Sequence, residues 1–91
     1  MKFNDNFEVV RVADEYLAVP TGEFASSFKG VVALNEASAF LLGKMREPIS
    51  RNKLLESLVS EYELPLDVAE KDIDEFLIHM ASIGLILNET T

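Results

Sequence analysis

The sequence predicts an α+β domain: a winged-helix-like body in which an N-terminal three-stranded antiparallel sheet is followed by a three-helix bundle. Three observations predict it. Early segments are rich in β-branched residues and separated by turn signals, later segments carry apolar residues at helical spacing, and the two kinds do not alternate. Strands first and helices afterwards place the helices together against one side of a small sheet.

The strands come first. FEVVRV, residues 7–12, and EYLAVP, residues 15–20, flank the polar pair Ala13 and Asp14, the spacing of a β-hairpin that Pro20 ends. Val9 and Val10 are adjacent, so the ribbon is expected to be bulged or covered in part on both faces. Residues 21–30 mix Gly and Ser with Phe24 and Phe28, which predicts a loop over 21–29 pinned to the body by its aromatics. Gly30, Val31, Val32, Ala33 and Leu34 then read as a third short strand.

The helices follow. Asn35 suits an N-cap, since its side-chain oxygen can accept from a first-turn N–H, and Glu36 adds negative charge at the positive end of the helix dipole. A first helix over about 36–45 sets Ala37, Phe40, Leu41 and Met45 on one side and stops ahead of Pro48. Ser50 caps a second helix with the stripe Leu54, Leu55, Leu58, Val59 and Tyr62. The third carries Leu66, Ala69, Ile73, Phe76, Leu77, Met80 and Ile83 as one stripe, with acidic residues in its N-terminal half and Gly84 as its stop. Leu85, Ile86 and Leu87 form an apolar tail that must pack on this subunit or another, and residues 88–91 are expected to fray.

Composition narrows the function. Ninety-one residues make one domain, here 1–91 with its core over about 7–87. Sixteen acidic residues against 8 basic ones, a net charge of −8, repel phosphate, so nucleic acid is not the expected partner. The absence of cysteine removes disulfides, thiolate nucleophiles and sulfur-ligated metal sites together. The N-terminus has no apolar signal region and no run approaches the roughly 18 apolar residues of a membrane span, so a cytoplasmic location off the membrane is expected.

Chemistry has few carriers. His79 is the only histidine and lies seven residues after Asp72 on the same side of the third helix, yet nothing around it forms a nucleophile or base constellation. The run DVAEKDIDEF lacks the alternating oxygens and turn Gly of a calcium loop and keeps helical apolar spacing. Asp72 flanks the core stripe beside Phe76 and His79, where it is either a surface charge or part of a groove. Val68 and Ile78 fall off the stripe and leave room for a second contact surface on this helix. No enzymatic activity, cofactor or metal is expected. The run VVAL carries none of the charges or prolines that blunt a sheet edge. It fits a strand buried on both faces, or an open edge to which an extended segment adds as a new strand.

Taken in order, the opening hairpin, Leu34-Asn35-Glu36 with Ala37, Ala39, Phe40, Leu41 and Leu42, Ile49-Ser50 before Leu54, Leu58 and Tyr62, and Asp72, Phe76, Leu77, Met80 and Ile83-Gly84-Leu85-Ile86 resemble the PqqD family. Leu42 stands where relatives often carry Trp, and the loop at 21–29 is longer than in the shortest members. The resemblance implies a non-catalytic protein that binds the leader region of a ribosomally made precursor peptide and presents it to a modifying enzyme, often a radical SAM (S-adenosylmethionine) protein. It further implies that the leader adds to Gly30, Val31, Val32, Ala33 and Leu34 and lies against Asp72, Phe76 and His79. Val32→Pro is then expected to remove a ladder donor if that N–H faces outward. A homodimer through the same edge would compete with the peptide. The alternative is a winged-helix-like regulator or adaptor that binds a protein partner, or DNA through Lys44, Arg46, Arg51 and Lys53.

Overall fold

The computed structural model describes residues 1–23, 25 and 30–87. Phe24, Phe28 and residues 88–91, the expected aromatic pins and frayed end, lie outside the described residues. The elements are β1 (Lys2–Phe3), β2 (Phe7–Val12), β3 (Glu15–Pro20), β4 (Val32–Leu34), α1 (Glu36–Lys44), α2 (Arg51–Tyr62), α3 (Leu66–Ser82) and β5 (Ile86–Leu87).

β2 and β3 form the expected hairpin, paired one-to-one from Phe7 opposite Pro20 to Val12 opposite Glu15. There is no bulge. Val9 and Val10 point to opposite faces and both are half-buried, so the adjacent valines reflect cover on two sides. Ala13 takes the positive φ, 57°, that a two-residue turn requires of its first residue. The cross-strand rows Val9, Ala18, Val32 and Arg11, Tyr16, Leu34 share one face of the sheet, and on that face Ala18 and Leu34 are buried.

The helices start where their caps place them. The Ser38 N–H donates to Asn35 Oδ1 at 2.7 Å, and the Lys53 N–H donates to Ser50 Oγ at 3.2 Å. Glu63 closes α2 in the left-handed region, φ 51°, and Gly84 follows α3 at φ 82°, a conformation that suits glycine. The core lies where the three helices, β5 and the inner sheet face meet, with Leu42, Met45, Leu54, Leu58, Ile73 and Leu85 as its largest fully buried side chains.

Two expected faces shift. In α1 the buried residues are Ala39, Leu41 and Leu42, joined by Met45 just past the helix, while Ala37 and Phe40 are half-buried. Phe40 instead meets the Tyr62 ring edge-on at 5.7 Å. Leu66, at 60% exposure, is outside the α3 stripe because the first turn after Pro65 overshoots the core, which begins at Ala69.

The apolar tail packs on its own subunit. Ile86 and Leu87 pair antiparallel with Phe3 and Lys2 as a second, two-stranded sheet. The Asn4 N–H donates to the Leu85 carbonyl at 2.8 Å and the Phe3 N–H to the Met45 carbonyl at 2.9 Å, so β1 is held from both sides.

Candidate functional site

The larger sheet has the order β2-β3-β4, so β4 is bonded to β3 on one side and no described strand lies beyond it. Of the two readings of VVAL, the open edge is the one found among the described residues. Residues 30 and 31 precede the strand, which spans three residues and not the expected five. The reason is local: Gly30 has φ +99°, which breaks extended backbone and turns the chain into the sheet, and Val31 is exposed.

The outward-facing groups of β4 follow from the hairpin. Antiparallel pairs alternate between those that exchange hydrogen bonds and those whose polar groups point away. The Thr21 N–H donates to the Asn6 carbonyl at 2.8 Å, so the 6–21 pair is bonded and, counting along the register, Glu15, Leu17 and Val19 face β2. Pro20, which has no N–H, falls on a non-bonded pair, as it must. Tyr16 and Ala18 therefore face β4 and bond Leu34 and Val32, leaving the N–H and C=O of Ala33 pointing out from the edge. The Val32 N–H faces inward; the outward donor within the strand belongs to Ala33.

A cleft of about 580 Å³ begins where β4 ends, with Asn35 on its rim. Its floor is apolar: Leu41, Leu58, Phe76 and Met80, all buried, come from the three helices. Asp72, Glu75, Phe76 and His79 lie three, four and seven residues apart along α3 and so line the cleft together, with Asp72, Glu75 and His79 exposed at its edge. The structure thus brings Asp72, Phe76 and His79 to one wall next to the end of β4. Sequence reading passed over Glu75, one turn from both Asp72 and His79, and the residues of α1 and α2 that complete the floor. The spacing of Glu75 was a readable signal; the meeting of three helices was not. Tyr62 borders the same cleft, and burial, then the nearby charge of Glu36 and Glu61, holds its phenol above the usual value of 10.0.

Among the described residues no group of three His, Cys, Asp or Glu side chains is placed to hold a metal ion. Likewise no described helix is long and apolar enough to cross a membrane. Three of the four residues of the basic cluster between α1 and α2 have partners within the fold: Arg51 pairs with Asp74 at 2.9 Å, Lys53 with Glu56 at 3.7 Å, and Lys44 stands 5.3 Å over the Phe40 ring, while Arg46 is exposed.

Of the two edges of the β2-β3-β4 sheet, the β4 edge is the one that leads into an apolar cleft between helices, an arrangement suited to strand addition. The model of the family described as coenzyme PQQ synthesis protein D (PqqD) matches residues 9–86, and the chain belongs to that family. No curated protein matches. Among solved structures, the fold is similar to that of TbiB1 in complex with the TbiA(beta) leader peptide, with a TM-score of 0.77 and 16% identity over 100% of both chains. It is also similar to lasso peptide synthetase B1 complexed with the leader peptide, with a TM-score of 0.73 and 20% identity over 96% of each chain.

Proposed function

We propose that this protein is a non-catalytic recognition element that binds the leader region of a ribosomally made precursor peptide by strand addition and presents it to a radical SAM or other peptide-modifying enzyme. The observation that carries this reading is the continuity of the open β4 edge with the apolar cleft: Ala33 offers one donor and one acceptor to an added strand, and the cleft begins two residues later at Asn35. Family membership and the leader peptides present in both structural neighbours support it. The peptide site comprises the edge segment Gly30, Val31, Val32, Ala33 and Leu34, with Asp72, Phe76 and His79 as the facing wall.

The short edge has an energetic consequence. A single outward-facing residue supplies two main-chain hydrogen bonds, about 1 kcal/mol each, whereas burying one large apolar side chain contributes about 1.5–3 kcal/mol. Capture of one side chain in the cleft is therefore comparable to the main-chain pairing in affinity, and it adds the selectivity that main-chain groups cannot supply. Two copies paired through β4 would occupy the same Ala33 groups, so such a homodimer would be a peptide-free form. The chain is proposed to work in the cytoplasm, where precursor peptides are made.

The test is calorimetric titration with the leader half of a short precursor peptide encoded beside the gene. Saturable one-to-one binding is expected. Failure of every such neighbouring leader to bind the folded protein would refute the reading.

A further inference from the structure

The cleft wall carries two carboxylates, Asp72 and Glu75, and the lining contains neither Lys nor Arg. Among the described residues, neither carboxylate has an ion-pair partner, whereas Asp74 on the same helix is paired with Arg51 at 2.9 Å. Ion pairing is thus present on the Asp74 flank of α3 and absent from the two cleft carboxylates, although Lys71 lies one turn before Glu75. In a chain of net charge −8, that leaves an apolar floor bordered by two unpaired carboxylates. The complementary ligand joins an apolar side chain to a cation.

Spacing sharpens the match. In an extended strand, residues two apart point to the same side and lie about 6.6 Å from one another, at roughly 3.3 Å per residue. Asp72 and Phe76 are one helical turn apart, which at about 1.5 Å per residue is about 6 Å along α3. A strand laid along this helix presents side chains i and i+2 to the acidic position and to the apolar floor with nearly the same interval.

We propose, resting on the peptide-binding reading above, that the groove selects extended peptides in which a Lys or Arg stands two residues from a large apolar residue. The apolar side chain enters over Leu41, Phe76 and Met80, and the cation reaches Asp72 and Glu75. The charge pair is exposed at the rim, so it sets selectivity and association more than total affinity.

The test is selection of a random peptide library on the full chain and, in parallel, on the Asp72→Asn, Glu75→Gln double variant. Both substituted residues are exposed, so folding is retained. On the natural chain, enrichment of an apolar residue with Lys or Arg two positions away is expected. The double variant should keep the apolar residue and lose the cation. A synthetic peptide from the first selection should bind the double variant about fivefold more weakly at low salt, with the gap closing at high salt. Enriched peptides without excess Lys or Arg, or with the same excess on both proteins, overturn the cation selectivity and leave peptide binding standing. No enrichment on either protein overturns both.

Discussion

Replacing Ala33 with proline tests the edge at a single atom. The Ala33 N–H points away from β3, so its loss breaks no bond within the sheet, and edge strands tolerate proline with the N–H side facing solvent. Val32, ahead of it, is already extended, the conformation that a following proline favours. Stability should change by no more than about 0.5 kcal/mol, while one hydrogen bond to the bound peptide, about 0.5–1.5 kcal/mol, is removed. Affinity should fall about two- to tenfold. Val32→Pro supplies the contrast: it removes the bond to Ala18 and drives the ring against β3, so stability should fall by about 1–3 kcal/mol. Thermal melts of both variants, with fluorescence anisotropy of a labelled leader peptide, separate the two effects. Unchanged affinity in Ala33→Pro, or unchanged stability in Val32→Pro, would refute the assignment of outward and inward groups.

Other perturbations probe the rest of the molecule. Asp72→Ala should weaken leader binding and leave the melting temperature nearly unchanged, because Asp72 is exposed and makes no ion pair among the described residues; a large stability loss with binding intact would make it a structural residue. Ala13→Gly should raise the melting temperature by about 3–6 °C, since relief of the left-handed strain at φ 57° outweighs the added chain entropy by about 0.5–1 kcal/mol. Leu85→Ala should cost about 2–5 kcal/mol in chemical denaturation at any protein concentration, because Leu85 is fully buried within its own subunit; a cost that varied with concentration would point to exchange between subunits. The raised Tyr62 value means that the folded state holds the phenol proton more tightly than the unfolded chain. Its stabilising contribution is therefore present below about 10 and lost as pH rises beyond it, and Tyr62→Phe should flatten the fall in stability above that pH.

Local signals carried much of the fold. The hairpin, the Asn35 and Ser50 caps, the α3 stripe from Ala69 onward and the Gly84 stop each depend on residues within a few positions of one another, and each stands where sequence spacing puts it. The β1 and β5 pair has no such signal, because Phe3 and Ile86 meet only after the whole domain has folded between them. The buried face of α1 departs from its amphipathic spacing for a related reason. Leu42 is covered from a second direction by the rest of the core, which a one-sided amphipathic pattern cannot express, and Phe40 is drawn aside by Tyr62. Asp72, Phe76 and His79 were legible as one face of α3. The depth of the cleft beside them depends on Leu41 and Leu58, contributed by two other helices. Which residue of the edge points outward could not be read from VVAL at all; it is fixed by the parity of the hairpin register, counted from the turn at Ala13 and Asp14.

The most direct measurement of the central claim is an NMR titration of isotope-labelled protein with the leader half of the neighbouring precursor peptide. Saturable shifts should fall on residues 30–35, largest at the Ala33 amide, and on Asp72, Glu75, Phe76 and His79, with the Ala33 amide becoming protected from solvent exchange. Saturable shifts confined to the far face of α3 around Ile78 or to the outer face of the sheet, with Ala33 unmoved, would contradict the claim that β4 and its cleft receive the peptide.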